Sequence, residues 1–214
     1  MNVTIIGTGN MARAIAARML AGGNSVTLLS RTPDKTKGTI EKLTADAKKG
    51  ATVKAEPLGS PITDPVVISA VSYPVAEEII RKHGNQLSGK ILVDITNPLN
   101  QTYDDVATPP GSSAAEELAK TAPKGTKVVK AFNTTFAGPL AQGHVAGQPL
   151  DVFIAGDDEQ AKATVAKLVE EGGQRPIDAG PLKRARQLEG LALLNITLQS
   201  RADKPWMNAV KIVS

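Results

Sequence analysis

Val3-Thr4-Ile5-Ile6-Gly7-Thr8-Gly9-Asn10-Met11-Ala12 is the stretch of this chain that decides its fold. Its first four residues form a short apolar strand pattern, and a turn of the form Gly-x-Gly-x-x-Ala follows at once. This is the dinucleotide-binding fingerprint with alanine in the third-glycine place. Gly7 permits the tight turn, Gly9 lets the backbone approach a pyrophosphate, and Ala12 keeps the new helix close to the sheet. The helix then presents its unpaired N–H groups to phosphates, so the sequence predicts a dinucleotide site.

The turn after the second predicted strand indicates which dinucleotide is bound. An NAD site usually has Asp or Glu at this point, but Ser30-Arg31-Thr32-Pro33-Asp34-Lys35 stands here. A hydroxyl and two cations suit the 2′-phosphate of NADP(H), because Arg meets phosphate with paired charge-assisted hydrogen bonds. We therefore predict that Ser30, Arg31 and Lys35 bind NADPH in preference to NADH. The alternative is a solvated basic turn in which Asp34 pairs with Lys35.

Polar turns follow three later predicted strands. In an open parallel sheet, ligands bind outside the carboxyl ends of the strands, so we expect these turns to converge on one nicotinamide pocket. The residues concerned are Val71, Ser72, Tyr73, Pro74, Thr96, Asn97, Pro98, Asn133, Thr134 and Thr135.

Strand and helix patterns alternate along the whole chain, which predicts a doubly wound parallel Rossmann sheet of the α/β class. The predicted strands are 2–6, 25–29, 52–55, 66–71, 91–94, 128–132, 151–156 and 175–178. The predicted helices are 11–21, 40–48, 75–83, 114–120, 159–171 and 188–198.

The Gly- and Pro-containing stretch 137–149 is the best linker candidate. We therefore predict an NADP-binding domain over 1–145 and a small C-terminal α/β domain over 146–214. The helix predicted at 188–198 is so apolar that a partner subunit is one way to bury it. This predicts a homodimer formed through the C-terminal helix.

Composition excludes several classes of protein. The 214 residues include no Cys, which excludes disulfides, thiol catalysis and Cys-based metal sites. No apolar window approaches a membrane span, and the strand that begins at Asn2 leaves no room for a signal peptide. We therefore expect a cytoplasmic protein with no membrane association and no bound metal. The net charge is +4, but Lys and Arg are dispersed and no nucleic-acid motif occurs, so we expect no nucleic-acid partner.

The candidate chemistry lacks a strong acid. No Tyr-x-x-x-Lys pair follows Tyr73 or Tyr103, His83 is predicted to be solvated at a helix C-terminus, and His144 is predicted to be exposed. Reduction of a carbonyl needs a positioned proton donor. Hydride transfer to a flavin-like ring needs mainly distance and orientation, because the ring delocalises the charge itself. The sequence therefore favours hydride exchange between two ring cofactors.

The chain resembles the F420-dependent NADP oxidoreductase family over nearly its whole length. The resemblance is carried by 7–12, by 30–35, and by Asp178-Ala179-Gly180-Pro181-Leu182 with the later Arg186 and Glu189. It implies a dinucleotide-binding domain, a small C-terminal domain that helps to form a dimer, and reversible hydride transfer between NADP(H) and a deazaflavin.

The resemblance also implies residue roles. Thr8, Asn10 and Met11 are implied to lie on the cofactor phosphates. Ser30, Arg31 and Lys35 are implied to hold the 2′-phosphate. Pro74 and Ala137 are implied to lie beside the two rings. With Asn133 added from the third polar turn, we predict Pro74, Asn133 and Ala137 around the reacting rings. Lys183, Arg184 and Arg186 either hold an anionic cofactor tail or cap a helix.

One segment departs from that family. Members that use the deazaflavin carry His-Thr-Ile-Pro after the sixth strand, where this chain has Asn133-Thr134-Thr135-Phe136. The run Lys130-Ala131-Phe132-Asn133 is more similar to the cytosolic domain of six-transmembrane metalloreductases, which pair NADPH with a flavin. The predicted second cofactor is therefore coenzyme F420, FMN or FAD.

Two other functions are compatible with parts of the sequence. One is a non-catalytic NADPH-binding module that senses redox state. The other is an imine reductase, because Gly-x-Gly-Asn-Met-Ala also resembles the opening of pyrroline-carboxylate reductases. Those enzymes need a long all-helical C-terminal domain, whereas the residues beyond 147 contain two strand patterns.

Overall fold

A computed structural model describes residues 1–202 and 205–213 of the chain. Its main feature is one eight-stranded sheet, accompanied by a two-stranded hairpin. The strands are β1 (Asn2–Ile6), β2 (Ser25–Ser30), β3 (Val53–Pro57), β4 (Val66–Ser69), β5 (Ile91–Asp94), β6 (Lys127–Lys130), β7 (His144–Val145), β8 (Gln148–Pro149), β9 (Asp151–Gly156) and β10 (Arg175–Gly180).

The strand order of the main sheet is β10-β9-β6-β5-β4-β1-β2-β3. The six strands from β3 to β6 are mutually parallel and run in the 3-2-1-4-5-6 order of a dinucleotide-binding sheet. This confirms the predicted Rossmann fold. Strand β9 then pairs antiparallel with β6 and parallel with β10.

Helices cover both faces of the sheet. They are α1 (Asn10–Ala21), α2 (Lys37–Ala45), α3 (Tyr73–His83), α4 (Ala114–Thr121), α5 (Ala137–Gln142), α6 (Glu159–Glu171) and α7 (Ala185–Thr197). Helices α1, α5 and α6 pack on one face and α3 and α4 on the other, because alternate strand residues such as Ile5 and Ile6 enter different apolar clusters. Ile15 and Met19, which lie four residues apart on one face of α1, are fully buried. Within the described residues, no helix has the length and apolar character to span a bilayer.

Three predictions need correction or qualification. His83 is buried rather than solvated, and burial lowers its pKa. The predicted linker 137–149 is not an open linker, since it contains helix α5 and the hairpin β7–β8. Helix α5 is stabilised by Leu140, which is buried in the core cluster that includes α1, and it ends at Gly143 in a left-handed conformation. The apolar C-terminal helix buries Leu188 within the chain but leaves Leu194 56% exposed.

The predicted domain boundary falls inside the hairpin. Beyond it the chain is not all-helical, since β9 and β10 extend the main sheet. The chain therefore does not meet the main requirement of the imine reductase interpretation, which is a long all-helical C-terminal domain. The division into domains 1–145 and 146–214 stays a prediction.

A buried ion cluster joins the centre of the sheet to the C-terminal helix. The ammonium of Lys130 lies 2.7 Å from the Asp94 carboxylate and 2.8 Å from the Glu189 carboxylate, and it also donates to the main-chain oxygen of Thr96. Glu189 accepts hydrogen bonds from the first N–H groups of α4 at 3.0 and 3.4 Å. The Lys130 cation therefore joins β6 to β5 through Asp94 and to α7 through Glu189.

We predict that Lys130→Met lowers the free energy of unfolding by about 3–5 kcal/mol, because it leaves two buried carboxylates without their cation. Chemical denaturation measures the change. The control is Lys120→Met, which removes an exposed partner of Glu117 and is expected to cost less than about 1 kcal/mol. Equal losses in the two variants would contradict the structural role of Lys130.

Candidate functional site

The carboxyl edge of the parallel strands contains two cavities on either side of the α1 N-terminus. The fingerprint cavity, of about 280 Å³, is lined by Ile6, Gly7, Thr8, Gly9, Leu29, Ser30, Arg31, Leu58, Ala70, Val71, Ser72, Val75 and Ile79. The α5 cavity, of about 500 Å³, is lined by Asn10, Met11, Ile95, Asn97, Asn133, Thr135, Phe136, Ala137, Gly138, Ile196, Trp206 and Met207.

The fingerprint turn has the geometry that its glycines predicted. Gly7 has φ +118°, and a Cβ at this position would lie 2.5 Å from the main-chain oxygen of Ala70. Only glycine fits there, because both the conformation and the space exclude a side chain. At Gly9 a Cβ would meet no protein atom within 4 Å, so the backbone there faces open space.

Among the described residues, no anionic side chain caps the N-terminus of α1. Gly9 is the N-cap residue, no side chain caps the helix, and its first turn contains no acidic residue. Free N–H groups and the helix dipole make such a terminus attractive to phosphate. The residues present therefore fit a dinucleotide pyrophosphate.

The turn after β2 keeps its cations exposed. Ser30 is buried, and its hydroxyl accepts a hydrogen bond from the Thr32 N–H at 3.1 Å. Arg31 and Lys35 are exposed. Among the ion pairs of the described residues, none involves Arg31 or Lys35, so the pairing of Asp34 with Lys35 is not formed.

Two amide side chains interlock at the floor of the α5 cavity. Asn133 Nδ2 donates to Asn97 Oδ1 at 3.0 Å, and Asn97 Nδ2 donates to the main-chain oxygen of Asn133 at 2.9 Å. Asn133 also donates to the main-chain oxygen of Leu188 at 3.0 Å. Its own Oδ1 is buried and has no hydrogen-bond partner in the described part of the chain. Phe132 has φ +64°, a strained conformation of the kind found at functional sites.

The outer wall of the α5 cavity comes from the end of the chain. The rings of Phe136 and Trp206 meet edge to face, with centroids 5.0 Å apart. A Cβ at Gly138 would lie 2.5 Å from the Met207 sulfur, so this glycine allows the tail to approach α5 closely. The sequence analysis missed Trp206 and Met207, because a single aromatic residue in an aperiodic tail gives no pattern.

Buried Asp151 anchors this C-terminal tail. Its carboxylate accepts hydrogen bonds from Arg175, from Lys211 at 2.9 Å and from the Ile212 N–H at 2.8 Å. Burial alone would raise the pKa of Asp151, but these donors outweigh burial and lower the pKa to about 2.

Tyr73, Glu189 and Arg186 are titratable residues that line neither of the two cavities. Burial, with nearby carboxylates including Glu77, raises the pKa of Tyr73 to about 12. Burial also raises the pKa of Glu189, although Lys130 opposes the shift. Arg186 forms a bidentate pair with Glu116 at 2.6 and 2.8 Å rather than standing free for an anion. No group of three His, Asp or Glu side chains arranged for a metal occurs in 1–202 or 205–213.

The structure divides the predicted site residues between cavities. Those in the fingerprint cavity are Gly7, Thr8, Gly9, Ser30, Arg31, Val71 and Ser72. Those in the α5 cavity are Asn10, Met11, Asn97, Asn133 and Ala137. Tyr73, Pro74 and Pro98 line neither cavity, and Lys35 lines a separate one. The three polar turns thus share one edge of the sheet but not one pocket.

Comparison with known proteins places this geometry in context. The model of the family described as NADP oxidoreductase coenzyme F420-dependent matches residues 2–98. The F420-dependent NADP reductase of Methanocaldococcus jannaschii is 31% identical over 211 residues, which cover 92% of each chain. A crystal structure from Arthrobacter sp. FB24, provisionally named an F420-dependent NADP-reductase, superposes with a TM-score of 0.79 at 28% identity and covers 99% of each chain.

A second group of relatives is longer. The rat metalloreductase STEAP3 is 35% identical over 191 residues, which are 89% of this chain. The chain spans only 36% of the length of that metalloreductase.

We predict that acid releases the C-terminal tail as Asp151 is protonated. Because the folded pKa is lowered, the stabilisation is present above the ordinary carboxyl pKa of about 4 and is lost as pH falls towards about 2. Trp206 is the only tryptophan and is already 53% exposed in the folded chain, so release of the tail is measured as an increase in acrylamide quenching above the folded value.

The variant Asp151→Asn should show strong quenching already at neutral pH and no further change between pH 4 and 2. The control is Glu41→Gln, at an exposed carboxylate of α2, and it should behave as the wild type. Unchanged quenching in Asp151→Asn would show that other contacts hold the tail.

Proposed function

The chain belongs to the family of F420-dependent NADP oxidoreductases, and from this membership we propose that it transfers hydride between NADP(H) and a deazaflavin or flavin ring. It is an NADP-dependent oxidoreductase. The observation that carries the proposal is the position of the uncapped α1 N-terminus between the two cavities. One cavity ends in hydroxyl and cationic groups, and the other is broad and mainly apolar.

The fingerprint turn is proposed to hold the cofactor pyrophosphate. Thr8, Asn10 and Met11 surround the free N–H groups of the first helical turn. The absence of a side chain at Gly9 leaves room for close approach, while Gly7 allows the turn to pack against Ala70. The adenosine would lie in the fingerprint cavity, where Leu58 and Ile79 supply apolar surface.

Ser30, Arg31 and Lys35 are proposed to select the phosphorylated cofactor. Arg31 presents its guanidinium to solvent without a protein partner among the described residues, so no ion pair has to break when a phosphate binds.

The α5 cavity is proposed to receive the reacting rings. NADPH supplies a hydride, and with one proton from solvent the ring acceptor takes up two electrons and two hydrogens. Asn97 and Asn133 would orient the carboxamide and ring edges, with Ala137 beside them, while Phe136 and Trp206 would exclude water. Val71, Ser72, Tyr73 and Pro98 are proposed to lie on the cofactor, and Pro74 is proposed to lie beside the reacting rings with Asn133 and Ala137.

The identity of the ring acceptor belongs to the proposal. Relatives named for F420 favour the deazaflavin. The amide and hydroxyl groups of 133–135, together with similarity to metalloreductases, favour FMN or FAD as a second possibility. A homodimer through α7 and a cytoplasmic location stay predictions, with exposed Leu194 and Leu198 as the surface that a second copy would cover.

We predict that Arg31→Ala weakens NADPH binding by about 1.5–3 kcal/mol, the contribution of a charged hydrogen bond, and leaves NADH binding almost unchanged. Isothermal titration calorimetry measures both. Arg81→Ala, at an exposed arginine in the last turn of α3, serves as the control. Equal losses for both nucleotides would mean that the 2′-phosphate binds elsewhere.

Stopped-flow absorbance of NADPH tests the transfer itself. We expect rapid oxidation with F420, FMN or FAD, and slower oxidation in Trp206→Ala because the acceptor loses one wall of its cavity. A sample of enzyme and NADPH without any ring acceptor is the blank. Tight NADPH binding without turnover on any ring acceptor would overturn the proposal in favour of the redox-sensing module.

A further inference from the structure

A third cavity, of about 450 Å³, lies between α1 and α2 beside the turn after β2. We call it the α1–α2 cavity, and its lining residues are Arg13, Lys35, Gly38, Thr39, Lys42 and Leu43. Three cations and no carboxylate line it. In the described part of the chain none of these cations forms an ion pair.

Lys35 connects this cavity to the proposed 2′-phosphate site. It belongs to the short 3₁₀ helix Pro33–Thr36, which begins two residues after Arg31. Arg31 lines the fingerprint cavity, whereas Lys35 lines the α1–α2 cavity. The turn therefore presents cations to both sides of the end of β2.

Arg13 is held in place by the fingerprint turn. Its Nη2 donates to Asn10 Oδ1 at 2.5 Å, and its side chain is exposed. This bond uses one of five guanidinium donors and leaves the others available. An arginine that is already oriented loses less side-chain entropy when a ligand binds.

We propose that Arg13 is a specificity-determining residue for NADPH, forming with Lys35 the α1 side of the 2′-phosphate site, across from Arg31. The inference rests on the proposed function. Two guanidinium groups from different elements enclose a dianion from two sides, which a single exposed cation does not do.

Calorimetric titration of NADPH and NADH tests the assignment. Arg13→Gln should raise the Kd for NADPH about tenfold, the effect of one charged hydrogen bond, and change the Kd for NADH less than about twofold. Arg13→Lys should recover part of the loss. Because both arginines contact one phosphate, the loss in Arg13→Gln/Arg31→Ala should differ from the sum of the single losses for NADPH only. Arg81→Gln is the matched control.

Other results would overturn the inference. Equal weakening of NADPH and NADH would show that Arg13 acts through the fingerprint turn or the pyrophosphate. Unchanged NADPH binding with weaker binding of FMN relative to riboflavin would assign the α1–α2 cavity to an anionic acceptor tail. If the wild type binds NADPH and NADH equally, the proposed cofactor preference fails as well, whereas a wild type that prefers NADPH confines the failure to Arg13.

Discussion

The rest of the site depends on one interaction, the buried ion cluster of Lys130 with Asp94 and Glu189. A charge without solvent must be neutralised, and Lys130 is neutralised only where β5, β6 and α7 meet, through Asp94 and Glu189. Glu189 is in turn the anion at the N-terminus of α4. The cluster is connected to the lining of the α5 cavity in two places. Lys130 donates to Thr96, the residue before Asn97. Asn133 donates to the main-chain oxygen of Leu188, the residue before Glu189. The Asn97–Asn133 amide pair is therefore held by main-chain groups next to the ion cluster, and a movement of these groups would disturb the pairing of the buried Lys130 ammonium.

The sequence predicted what local chemistry determines. The fingerprint requires a left-handed residue at Gly7 and an uncapped helix after it, and both are present. The strand order follows from alternation of strand and helix, because short crossovers of one hand leave few arrangements of parallel strands. Ser113 caps α4 as a Ser before an acidic turn predicts.

What the sequence could not predict arises from contacts between distant segments. Strand β9 has the sequence pattern of any other apolar strand, and its own residues do not indicate that it pairs antiparallel with β6. The wall formed by Trp206 has no periodic signal. His83, by contrast, continues the buried face of α3 after Ala76, Ile79 and Ile80, so helical periodicity could have predicted its burial. Of the three polar turns, Ser72 lines the fingerprint cavity, whereas Asn97 and Asn133 line the α5 cavity, and no local sequence pattern indicates this distribution.

The distribution of charge explains why a basic chain can hold anionic cofactors without a basic patch. Cations with a structural role are paired with carboxylates, as Lys130, Lys162 and Arg175 are. The cations beside the fingerprint turn are exposed and without ion pairs among the described residues. An exposed cation costs little to keep solvated before the ligand arrives, and it gains interaction energy only when a phosphate displaces its water. The excess positive charge of the chain is therefore available to a phosphate at this edge of the sheet, because even the neighbouring Asp34 forms no ion pair with Arg31 or Lys35 among the described residues.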